Sequence, residues 1–70
     1  MIKIKSLSLV IPAFKQEKTI AQNIEKLDKA LSTLPYSYEI IVVVDGFLDN
    51  TYKNAKSVEK KKIKILGYEK

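Results

Sequence analysis

The chain has 70 residues, no histidine, no cysteine and a formal net charge of +5. A chain of this length makes one domain at most, and such a domain buries only about 60% of the surface its unfolded chain exposes, so marginal stability is expected. Without cysteine or histidine there is no disulfide frame, and the usual zinc centres and Ser-His-Asp triads are excluded.

All thirteen basic residues are lysine, and the excess charge lies in residues 51–70, where seven lysines face only Glu59 and Glu69. A basic tail can meet nucleic acid or an anionic membrane surface. Lysines that protect a helix end and a strand edge explain it more simply, and arginine is the residue suited to bidentate phosphate and guanine recognition. No nucleic-acid partner is therefore expected. The opening MIKIKSLSLVIPAF is broken by Ser6, Ser8 and Pro12 and has no small-residue cleavage site, so it does not read as a signal peptide. No apolar stretch approaches the ~20 residues of a membrane helix, which makes a soluble, cytoplasmic chain the expectation.

The first element is Leu7-Ser8-Leu9-Val10-Ile11, rich in β-formers and followed by a proline that cannot donate to a ladder; it reads as a strand over about 6–11. From Glu17 the period changes. Ile20, Ile24, Leu27, Leu31 and Leu34 form one stripe of a helix, predicted over about 17–33 and ended by Pro35. Ile40-Ile41-Val42-Val43-Val44 does not alternate, as in a parallel strand covered on both faces, and is predicted over about 39–44. Asp49 or Asn50 can then cap a short helix over about 50–60, and Ile63 and Ile65 mark a third strand over about 62–66, closed by Gly67.

The order is βαβαβ, a parallel α/β unit with strands 3-2-1. Two right-handed crossovers in one direction put both helices on one face of the sheet. The opposite face of strand 2 is also apolar and has no cover within these residues. The chain is therefore expected to be part of a larger α/β domain, or to borrow cover from a partner or from a second copy.

Ligands of open parallel sheets bind beyond the carboxyl ends of the strands. Pro12-Ala13-Phe14 leaves strand 1 there, and Asp45-Gly46 leaves its neighbour. An aromatic ring and a carboxylate meeting in one crevice suit a nucleobase, the ring packing on its face and the carboxylate accepting its ring N–H. The plainer alternative makes Phe14 a packing residue and Asp45 a turn residue.

The segment Leu9 to Ile20, LVIPAFKQEKTI, resembles the opening of family 2 glycosyltransferases, V-I-P-A-Y-N-E-E-K-T-I. Further on, EIIVVVDGFLDNT at Glu39 to Thr51 resembles that family's E-I-I-V-V-D-D-G-S-T-D-N-T. The likeness leans toward polyprenyl-phosphate sugar synthases. It implies a GT-A type, Rossmann-like fold whose first strands bind a nucleotide sugar. By position, Pro12, Ala13, Phe14, Gln16, Val43, Asp45 and Gly46 would be nucleotide-binding, with Asp45 reading the base and Val43 giving main chain. Phe14 stands for the family's tyrosine, Lys15 for its asparagine, Gln16 for its first glutamate, Val44 for its first aspartate and Phe47-Leu48 for Ser-Thr.

The resemblance further implies a divalent cation, Mg or Mn, for a full-length enzyme, with ligands outside this chain. It implies inverting sugar transfer from a nucleotide diphosphate sugar to an acceptor such as a polyprenyl phosphate, and a peripheral place at the inner face of the membrane. No catalytic or metal-binding residue is assigned within the chain, and the isolated chain is expected to be inactive. From the residues alone, a small non-catalytic module that binds through its bare sheet face is the alternative.

Overall fold

In the computed structural model residues 6–69 are described; Lys3, Lys5 and Lys70 of the charge reading lie outside them. Strand β1 (Ser6–Ala13), helix α1 (Ile20–Leu31), strand β2 (Ser37–Asp45), helix α2 (Thr51–Lys56) and strand β3 (Ile63–Tyr68) follow in that order. The three strands are parallel and ordered β1-β2-β3, which is the expected 3-2-1 order counted from the other edge.

Burial alternates along β2. Ile40, Val42 and Val44 are fully buried, while Ile41, Val43 and Asp45 between them are only partly covered. The buried set meets Ile20 and Ile24 of α1, Ala55 of α2, and Ile63 and Ile65 of β3, so both helices lie on one face. On the opposite face the register aligns Val10 with Ile41 and Lys64, then Pro12 with Val43 and Leu66. Val10 is 59% exposed and Leu66 55%, so among the described residues the apolar side chains of this face are at most partly covered.

β1 continues through Pro12 to Ala13 rather than ending at Ile11. It is an edge strand with a ladder on one side only, a place where a missing N–H is tolerated. α1 begins at Ile20 rather than at Glu17, because Thr19 and Ile20 both donate their N–H to the Gln16 carbonyl in a turn that precedes the helix. Its far end is finished by side chains: the Ser32 and Thr33 hydroxyls donate to the Lys29 and Ala30 carbonyls at 2.6 and 2.8 Å. α2 stops at Lys56, well short of residue 60, and the Glu59 carboxylate accepts the Ile65 N–H at 2.9 Å and the Lys56 ammonium at 2.7 Å.

Much of the tail's positive charge is spent locally. Lys60 pairs with Asp28 at 2.8 Å, the Tyr38 hydroxyl donates to the same carboxyl at 2.6 Å, and the Lys62 ammonium sits 4.3 Å from the Tyr38 ring centroid. Chiefly through Lys60, then Tyr38, the Asp28 carboxyl is held below the usual carboxylate range.

Candidate functional site

The crevice expected at the carboxyl ends of β1 and β2 is framed by two loops that are bonded to each other. Where β1 leaves the sheet, the Gln16 N–H donates to the hydroxyl of Thr51, 35 residues further on, at 2.7 Å. Asn54 Nδ2 donates to the Glu17 carbonyl at 2.8 Å, and Asn50 Nδ2 reaches the Glu17 carboxylate at 3.5 Å. Thr51 is 1% exposed, while the residues bonded around it are partly covered or exposed. A hydroxyl buried there needs its partner, since an unmade bond in such a place costs roughly 1–3 kcal/mol.

The Asp49 carboxylate accepts the Thr51 N–H at 2.9 Å and so supports the first turn of α2 from just before its N-cap, Asn50, whose own side chain makes no capping bond. Hydrogen bonds from the Thr51 hydroxyl and N–H, with the Glu17 N–H adding to them, hold the Asp49 carboxyl below its ordinary range. Asp49 is thus committed to the junction.

Pro12 and Val43 face each other in register on the helix-free side of the sheet, one residue before the end of β1 and two before the end of β2. Phe14 follows Pro12 and is 54% exposed. Asp45 is the last residue of β2, partly covered, and alternates with Val44 so that it falls on the side of Val43. Gly46 next to it has φ 87°, in the region that glycine enters without strain, and its N–H donates to the Tyr68 carbonyl at 2.7 Å. Ala13, by contrast, is 2% exposed and packs toward the helices, so it offers only main chain to the crevice. The Gln16 side chain turns back to accept the Phe14 N–H at 3.4 Å, bracing the loop from within.

Two features of the site were not read from the sequence. Lys15 has φ 48°, the left-handed region, at a cost of about 1–3 kcal/mol for a residue with a side chain, and its ammonium lies 5.3 Å from the Phe14 ring centroid. At the end of β3, Gly67 leaves room for the Tyr52 ring, which meets Phe47 edge-on at 5.1 Å. Only the turn after a strand could have signalled the first; the second depends on where α2 lands.

Among the described residues no group of three acidic, histidine or cysteine side chains is placed to hold a metal ion. These residues therefore do not fit a divalent cation. None of the described helices is long and apolar enough to cross a membrane.

A parallel βαβαβ sheet with its loops converging at the strand carboxyl ends is the architecture of nucleotide-binding α/β proteins. Residues 8–69 match the sequence profile of Glycosyl transferase family 2, and the chain belongs to that family. It is 38% identical over 50 residues to a dodecaprenyl-phosphate galacturonate synthase of Rhizobium johnstonii, covering 71% of this chain and 15% of that protein. It is 39% identical over 51 residues to an undecaprenyl-phosphate 4-deoxy-4-formamido-L-arabinose transferase of Proteus mirabilis, covering 73% and 16%. The corresponding transferase of Yersinia enterocolitica is 41% identical over 49 residues, covering 70% and 15%. The chain thus spans about a sixth of the length of these relatives. No solved structure matches it.

Proposed function

We propose that this chain is the nucleotide-sugar-binding part of a family 2 glycosyltransferase, an incomplete domain that works within a larger enzyme. Transfer of a sugar from a nucleotide diphosphate to an acceptor, a polyprenyl phosphate among the candidates given the names of the relatives, belongs to that larger protein. Its metal ligands, its catalytic base and any attachment at the cytoplasmic membrane surface are likewise proposed to lie outside these residues.

The observation that carries the reading is the register of β1 and β2, with Phe14 and Asp45 at neighbouring strand ends and their loops tied by the Gln16–Thr51 bond. In this reading the base packs on Phe14 and Pro12, Asp45 accepts its ring N–H, Val43, Ala13 and Gly46 contribute main chain, and Gln16 holds the loop. A charge-assisted hydrogen bond of the Asp45 kind contributes about 1.5–3 kcal/mol. Calorimetric titration with UDP and GDP is the test. Asp45→Ala is expected to weaken the nucleotide that binds by roughly tenfold or more, with the fold retained. Equal affinity in a folded Asp45→Ala protein would leave the aspartate as a turn residue only.

A second reading, a non-catalytic module that binds a partner through its sheet, is favoured by one observation, the exposed Val10 and Leu66 on the helix-free face. Association that is indifferent to nucleotide would support it over the first.

A further inference from the structure

We propose that Lys15 is the cation that receives the diphosphate of a nucleotide held in this crevice. The proposal rests on the nucleotide reading above and adds the group that meets the phosphates. Among the described residues Lys15 alone, apart from glycine, has a positive φ, 48°. The turn from β1 toward α1 demands that conformation, which glycine supplies without strain and asparagine tolerates better than lysine does. A strained backbone kept under a long cationic side chain points to use of the side chain.

Lys15 is exposed, and its ammonium is turned toward a neighbouring ring. It lies 5.3 Å from the centroid of the Phe14 ring, the exposed aromatic face on which the base is proposed to stack. Base, ring and cation therefore meet in one place.

Charge makes the same demand. Asp45 ends β2, and Glu17 and Asp49 stand in the two joined loops, so a diphosphate arriving at this rim meets three carboxylates. Carboxylates repel an arriving diphosphate, and a cation at the same rim offsets part of that repulsion. Lys18, the next cation in the chain, lines the groove between α1 and the turn after α2, together with Glu25 and Lys60. That leaves Lys15 as the lysine beside the ring. Its three donors on a flexible stem suit phosphate oxygens whose positions are not fixed by a planar fork.

The test is calorimetric titration of the protein, Lys15→Gln and Lys15→Asn with uridine, guanosine, UDP and GDP at two salt concentrations. Both variants are expected to lose roughly tenfold in diphosphate affinity while nucleoside affinity holds, and to show a weaker dependence on salt. Lys15→Asn should also melt no lower than the parent, since asparagine accepts the left-handed turn. Unchanged diphosphate binding in both variants overturns the proposal, as does a parallel loss of nucleoside and diphosphate, which marks a structural role. Absence of any binding by the unsubstituted protein overturns the nucleotide reading itself, and Lys15's role with it.

Discussion

Thr51 joins two parts of the chain that are 35 residues apart, through a buried hydroxyl that accepts the Gln16 N–H. Replacing it by valine keeps the shape and removes the acceptor, so the Gln16 N–H loses its partner. Thr51→Val is expected to cost about 1–3 kcal/mol of stability, read from denaturant midpoints, with Thr51→Ser close to the parent. From the sequence, Thr51 is merely the first residue of a thin apolar stripe. Asp49 was legible, because an aspartate just before a helix has few other tasks than to accept first-turn N–H groups. That the loop beside it is tied to the turn at Glu17, through Asn54, was not, since nothing local in the sequence names a partner in another loop.

The helices are both shorter than their periodicity foretells. The apolar stripe of α1 continues to Leu34, but Ser32 and Thr33 bond back to carbonyls of the last turn and the chain unwinds ahead of Pro35. In α2, the Glu59 carboxylate is drawn off to the free edge of β3, where it takes the Ile65 N–H. Hydrophobic spacing reports the face a helix would present, not the residue at which side chains begin to compete for its backbone.

β3 shows the converse. Gly67 reads as a strand end, yet the strand runs on to Tyr68, and the glycine is there because a Cβ would lie 2.5 Å from Tyr52 Cδ1 and 2.8 Å from Phe47 Cε1. Gly67→Ala is accordingly expected to destabilise by about 1–3 kcal/mol through overpacking, visible as a lower melting temperature. The double variant Gly67→Ala with Tyr52→Ala should recover part of that loss, because it removes the closest obstruction.

At the scale of the whole molecule the dominant feature is a three-stranded sheet with helices on one face and Val10, Pro12, Ile41, Val43 and Leu66 aligned on the other. Burial of apolar surface is the main favourable term in folding, and here a buried layer forms on only one side of the sheet. The 70-residue chain is therefore expected to melt low or to self-associate through this face. Sedimentation velocity over a range of concentrations, with Val10→Lys as the variant that should dissociate any assembly, reads the outcome. A monomer with a sharp transition above ~65 °C, the upper end for mesophilic domains, would show that the bare face needs no cover.

Period and composition by themselves determined the element order, the parallel sheet and the placing of both helices on one face, because apolar spacing and the handedness of βαβ crossovers leave few alternatives; that Ile40, Val42 and Val44 are the residues facing them was left to the tertiary structure. Period and composition also made β1 and β2 neighbours, so that the loops leaving their carboxyl ends lie side by side. Only the tertiary structure decided that Ala13 turns to the core while Phe14 is exposed, that Lys15 takes a left-handed turn beside that ring, and that Thr51 ties the loops. Those outcomes depend on how loops distant in sequence are pressed together. Their hydrogen bonds are made between residues that share no local pattern, and no periodicity in the chain encodes them.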